Sequence, residues 1–293
     1  MRAGMAELAD AHGSGPCDSN IMRVQVPFPA YLKTALSKYD SAVFFCIFHT
    51  SPAYDKLTNL KGFFMSPKYS KRIAIIGREK QTINYRRALE HFHTDYEVTL
   101  SVGRLSEFDG LLLPGGGDID PHLLNAPDTG SRNIDTELDI IQFQAMDLFV
   151  KNQKPILGIC KGFQLINLYF GAELIQDLPS PSIHPVTKEG TDSYHEVTSL
   201  SFQAPPILRS HSLPHFPRKI TVNSAHHQGI VKNGKSLFPF QTAPDGITEA
   251  FMHEELPILA FQWHPERMLF SDNTDYQESG HLAFDLFFSL FIS

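Results

Sequence analysis

From Lys71 onward, short runs of consecutive apolar residues alternate with longer stretches in which apolar positions recur every three or four residues. Arg72 to Gly77 reads as a buried strand, and Tyr85, Ala88, Leu89 and Phe92 give Ile83 to Phe92 a helical period. Tyr96 to Val102 and Phe108 to Leu113 read as strands, the second ending in Pro114-Gly115-Gly116-Gly117-Asp118. Ile134 to Val150 has an apolar side marked by Leu138, Ile141, Phe143, Ala145, Leu148 and Phe149. Pro155 to Ile159 is a further strand, followed at once by a helix over Phe163 to Phe170. Lys219 to Asn223, Ile247 to Met252 and Pro257 to Trp263 are strand-like, and Gly280 to Phe291 closes the chain as an apolar helix. Near-continuous apolar strands alternating with helices predict an α/β protein, its mostly parallel sheet covered on both faces.

Two stretches break this rhythm. Pro179 to Pro217, rich in Pro, Ser and His, reads as an irregular insert, a lid or substrate-facing segment. Met1 to Asn20 has no period, a proline-punctuated stretch follows, and Ala42 to Phe48 is strand-like without a visible partner. Gly4 to Ala11 resembles the peptide produced when an RNA gene is read as protein. Residues 1–64 are therefore expected to be an N-terminal extension with a misassigned start or disorder, with Met65 as the true initiator. Residues 65–293 are expected to form one domain.

Composition narrows the class. With 42% hydrophobic and 19% charged residues in 293, the chain is of ordinary globular type. A formal charge of -7 argues against non-specific nucleic-acid binding, which needs a basic surface. No apolar run approaches the roughly 20 residues that span a bilayer. Cys17, Cys46 and Cys160 build no disulfide framework, and Met1-Arg2-Ala3-Gly4 lacks the order of a secretory signal, so the cytoplasm is the expected location.

The candidate chemistry lies where predicted strands end. Gly158-Ile159-Cys160-Lys161-Gly162 has the layout of a nucleophile elbow, with cysteine where the α/β-hydrolases carry serine. Cys160 would sit at a helix N-terminus, which favours a thiolate; a buried structural cysteine would show the same five residues. A cysteine nucleophile needs a base and a group to orient it. Gln262-Trp263-His264-Pro265-Glu266 follows another buried strand, and alternation along an extended chain would put His264 and Glu266 on one side. The glycine loop could bring a bare amide to an oxyanion, making the N–H groups of Gly116 and Lys161 the candidate pair. That loop lacks the spacing of a phosphate or dinucleotide site. Asp118 and Asp120 beside it are read as shaping the turn. Fourteen histidines, among them His184, His195, His211 and His215, raise the question of a metal. No local ligand spacing accompanies them, so no metal site and no cofactor is expected.

Pro-Gly-Gly-Gly-Asp, Gly-Ile-Cys-Lys-Gly-Phe-Gln, Val-Asn-Ser-Ala-His-His-Gln (Val222 to Gln228) and Gln-Trp-His-Pro-Glu occur in one order over Lys71 to Ser293. Together they resemble the class I glutamine amidotransferase-like superfamily, and within it the γ-glutamyl-γ-aminobutyrate hydrolase branch of γ-glutamyl peptidases. The resemblance implies a flavodoxin-like sheet and a triad of Cys160, His264 and Glu266. It places Gln164, His226, His227 and Gln228 beside the substrate; adjacent residues point apart, so one of the two histidines is expected to touch it. It implies a hydrolase of small γ-glutamyl amides, with glutamate and an amine as products. A glutaminase feeding ammonia to a synthetase partner, and a non-catalytic binding protein on the same fold, stay open. No nucleic-acid or membrane partner is expected, and a homodimer is the default. Two departures stand out: Lys161 replaces the branch's usual arginine, and Thr129 to Asp135 matches its Arg-Asp pattern only loosely. Lys161 either lends only its backbone N–H or grips a substrate carboxylate without arginine's bidentate fork.

Overall fold

The computed structural model describes residues 71–179, 183–184, 192–200, 216–230 and 232–291. The expectations for residues 1–64, and for His211 and His215, therefore lie outside the described residues. Nine strands form one sheet in the order β2-β1-β3-β4-β9-β8-β7-β5-β6. β1 (Arg72–Ile75), β2 (Asp95–Val98), β3 (Gly110–Leu113), β4 (Ile156–Ile159) and β9 (Ile258–Phe261) are parallel. β5 (Ser193–Ser199), β6 (Lys219–Ser224), β7 (Leu237–Thr242) and β8 (Thr248–His253) extend the sheet antiparallel from β9.

The helices divide between the two faces, which is why the parallel strands are apolar on both sides. α1 (Ile83–His91), α4 (Pro265–Met268) and α5 (Thr274–Ser289) cover one face, burying Tyr85, Leu89, Met268, Phe284 and Phe287 against Ile73, Leu157 and Leu259. α2 (Thr136–Lys151) and α3 (Lys161–Tyr169) cover the other, packing Phe143, Phe149, Phe163 and Ile166 on Leu111, Leu113 and Ile156. α2 starts at Thr136 because the Asp135 carboxylate accepts the N–H of Leu138, an N-cap that replaces the helix's missing carbonyl partner.

Two expectations change. The insert is not uniformly irregular: Ser193–Ser199 is a strand paired with β6 and β7. β7 went unread because Pro239 interrupts it and its register shifts between Pro239 and Gln241, as a bulge does.

Candidate active site

The register of the central strands brings three sequence motifs together. Leu113 pairs with Gly158 across β3 and β4, and Ile159 pairs with Phe261 across β4 and β9. The glycine loop, the elbow and the His-Pro-Glu turn therefore leave neighbouring strands at the same carboxyl edge, where open α/β sheets gather ligands.

Cys160 stands at φ 53° and ψ −103°, a strained conformation for a non-glycine residue, directly at the N-cap of α3. Its own N–H is tied to Phe261 O at 2.8 Å. The flanking glycines permit close contact rather than positive φ. A Cβ on Gly162 would fall 2.1 Å from Leu113 O, and one on Gly158 would fall 2.7 Å from Gly162 O. Helix α3 can thus sit hard against β3 and hold Cys160 over the strand ends.

His264 caps α4, with Pro265 as the first helical residue. The expected extended alternation is not what pairs His264 with Glu266. A tight helical turn does so, placing His264 Nδ1 2.9 Å from Glu266 Oε1, both groups buried. Asn223, at the end of β6, accepts the His264 N–H at 2.9 Å and donates to its carbonyl at 3.2 Å, clamping the backbone from both sides. Asp192 bonds both Asn223 and Arg267, at 2.8 and 2.5 Å. Gly115 is the meeting point: a Cβ there would lie 3.2 Å from His264 Cε1 and 3.3 Å from Cys160 Cβ. Its N–H donates to Tyr85 Oη at 2.8 Å, so this amide is spent on fixing the loop, and Gly116 is the next that lines the cleft.

The electrostatics favour a charged pair. Burial opposes a charged His264, but Glu266 and the Cys160 sulfur outweigh it and raise the imidazole to about 9. Burial likewise opposes a thiolate, and the facing His264 charge outweighs it, leaving the Cys160 thiol below its ordinary value. His264 Nε2 is buried with no protein hydrogen-bond partner, which leaves its proton free to be given to a departing group.

A cleft of about 160 Å³ opens beside Cys160, lined among others by Gly116, Lys161, Gln164, His226, His227 and Gln228. A larger recess of about 260 Å³ between β6 and α5 holds none of these residues. Every residue expected at the substrate is thus in one place, with roles that differ. Lys161 Nζ pairs with Asp139 on α2, both side chains almost wholly buried, so its charge is used inside the protein. Gln164 Nε2 donates to Gln262 Oε1 at 3.2 Å. Gln228 Nε2 reaches Ser131 Oγ at 3.3 Å. His226 and His227 do point apart. His227 Nε2 lies 2.9 Å from Asp118 Oδ2 and Nδ1 lies 3.1 Å from Asp177 Oδ1, whereas His226 donates from Nδ1 to Gln228 O at 2.9 Å and turns Nε2 inward. Asp118 also accepts the N–H of Arg132, and Asp120 accepts that of His122, the turn-shaping role expected of both. Arg132 lines the cleft and is exposed, with no side-chain ion pair among the described residues.

Tyr85, Asp192, Asn223 and Glu249 were not singled out from the sequence. Glu249 had a signal: an acid inside a strand, β8, buried along its whole length. It is fully buried, and burial would neutralise it, yet the histidines around it hold its carboxyl down at about 2. Two of these, His184 and His195, had no local ligand spacing in the sequence, yet both are turned inward on this acid.

A cysteine at a strand–helix elbow, flanked by a glycine loop on the parallel strand to one side and a histidine–glutamate pair on the parallel strand to the other, defines the class I glutamine amidotransferase-like proteins. Comparison bears this out, and the chain belongs to the peptidase C26 family, whose model matches residues 94–266. It is 32% identical over 171 residues to the glutamine amidotransferase-like protein YvdE of Lactococcus lactis, 55% of this chain and 67% of that one. It is 29% identical over 187 residues to the gamma-glutamyl-gamma-aminobutyrate hydrolase of Escherichia coli O157:H7, 59% and 70% of the two chains. A gamma-glutamyl-CDP-amidate hydrolase of Campylobacter jejuni is 27% identical over 157 residues, 54% of this chain and 62% of that one. A glutamine amidotransferase structure from Thermotoga maritima matches the fold with a TM-score of 0.54 at 15% identity, covering 77% of this chain and all of that one. Among the described residues no helix is long and apolar enough to cross a membrane.

Proposed function

We propose that the protein hydrolyses γ-glutamyl amides through a γ-glutamyl thioester on Cys160. The observation that carries this reading is the buried Cys160–His264–Glu266 set, strained at the nucleophile and charged in the sense that acyl transfer needs. The thiolate attacks the γ-carbonyl, and the N–H groups of Gly116 and Lys161 receive the oxyanion. His264 gives its proton to the departing amine and then accepts one from the water that cleaves the thioester, releasing glutamate. The relatives named for γ-glutamyl hydrolysis support the acyl side. With the charge of Lys161 committed to Asp139, Arg132 at the rim is the cation free to meet the glutamyl α-carboxylate.

The test is a screen of γ-glutamyl amides, glutamine and γ-glutamyl-γ-aminobutyrate included, with wild type and Cys160→Ala. Cys160→Ala should keep the wild-type circular dichroism and release no amine; undiminished turnover would refute the assignment. Strong glutamine hydrolysis that appears only with an added synthetase would instead favour the glutaminase reading.

A further inference from the structure

Behind the cleft, three histidines from separate parts of the chain converge on one buried carboxylate oxygen. Glu249 Oε1 lies 3.6 Å from His184 Nδ1, 3.5 Å from His195 Nε2 and 3.6 Å from His226 Nε2. Donor atoms of His184, His195 and Glu249 all fall within 4.8 Å of one another. These separations exceed the 2.7–3.2 Å of a hydrogen bond. Accordingly His184 Nδ1, both ring nitrogens of His195, His226 Nε2 and both oxygens of Glu249 are buried with no hydrogen-bond partner. So many orphaned polar atoms in one buried place is a pattern that native interiors avoid unless something satisfies them.

The distances from Glu249 Oε1 to the histidine nitrogens are close to the ligand spacing of a small metal ion. Four ligands around a tetrahedral zinc ion, with bonds of about 2.0–2.1 Å, stand roughly 3.3–3.4 Å apart. The surroundings agree. His226 donates from Nδ1 to Gln228 O at 2.9 Å and aims Nε2 at the cluster. His184 turns Nε2 to the Asp245 carboxylate at 3.3 Å, leaving Nδ1 inward. A histidine ligand whose second nitrogen is held by a carboxylate or a backbone carbonyl is the usual outer arrangement of a metal site.

We propose that His184, His195 and Glu249 bind a divalent transition-metal ion, zinc by the hardness and geometry of the donor set, with His226 facing the fourth position. The ion ties β5, β8, the turn after β6 and the His184 segment into one unit. Because His226 and Gln228 line the substrate cleft, the site is structural and holds that wall in place. No catalytic step passes through it, and the proposal does not depend on the substrate.

The full chain carrying Cys160→Ser, which removes the one described thiol as a rival ligand, is stripped with chelator and titrated with Zn²⁺ and Co²⁺. We expect one equivalent bound per chain, with the intense visible bands of tetrahedral cobalt and no sulfur-to-metal charge-transfer band. Glu249→Gln and His195→Asn should each weaken binding by more than about 100-fold, and Asp245→Asn by about 10–100-fold, with His122→Asn unchanged. Failure of the Cys160→Ser chain to take up either ion would overturn the proposal whatever the other variants do. Uptake that survives intact in folded Glu249→Gln, checked by near-ultraviolet circular dichroism, would overturn it as well.

Discussion

At the scale of single residues, the site is a charge balance with a defined pH window. His264 is held protonated up to about 9, and the Cys160 thiol ionises below its ordinary value, so thiolate and imidazolium coexist between the two. In the proposed acylation the thiolate attacks and the imidazolium protonates the amine. Turnover is therefore expected to fall on the acid side as the thiol is protonated, and on the alkaline side as pH passes about 9. Glu266→Gln removes the charge that supports the imidazolium. Its alkaline limb should move well below 9, and alkylation of Cys160 by iodoacetamide at neutral pH should slow by about tenfold or more, since a loss of about one unit is tenfold. An unshifted alkaline limb in that variant would show that another group sets it. The same shift enters stability. His264 is raised above its unfolded value of 6.5, so its contribution is full below that value and is lost progressively as pH rises to about 9.

At the scale of elements, the elbow works because α3 touches the sheet without side chains between them. Gly162→Ala would drive a methyl group into Leu113 O, which α3 can relieve only by lifting off β3. A loss of about 3 kcal/mol, the upper end of overpacking costs, is expected in urea unfolding, with Cys160 misplaced and turnover lost. Gly103→Ala, where a Cβ would meet nothing within 4 Å, should be neutral or slightly stabilising. The elements that set up this geometry were the legible ones. β1, β3, β4 and β9 are nearly all apolar because both faces are covered, so four-residue strands announced themselves. β5 did not, since Val197 is its one large apolar residue fully buried and its other positions are polar. The candidate residues Cys160 and His264 could be picked out for the same reason, each standing just past the end of a buried strand. Asn223 and Tyr85 could not, because what they do depends on partners 41 and 30 residues away, nor could Glu249, whose histidines come from three separate stretches of chain.

At the scale of the whole molecule, the described residues pack helices on both faces of the sheet, and we propose that residues 65–293 suffice to fold. β1 is the first described strand and is interior, paired with β2 on one side and β3 on the other. Its first residue is bound twice to the loop before β3: Arg72 N donates to Asp109 Oδ2, and Asp109 N donates to Arg72 O, both at 2.9 Å. A chain that begins at Met65 keeps all of these bonds, and one that begins at Ile76 loses an interior strand together with Ile73 and Ile75, both fully buried. Full burial of an isoleucine contributes about 1.5–3 kcal/mol, and a whole domain is stable by only about 5–15. The Met65 chain is therefore expected to unfold in one cooperative transition and to match the full chain in thiol reactivity at Cys160. The Ile76 chain should be unfolded or insoluble. If the Met65 chain instead lost its cooperative transition, residues 1–64 would belong to the catalytic domain, and the boundary placed at Met65 would have to move towards the start of the chain.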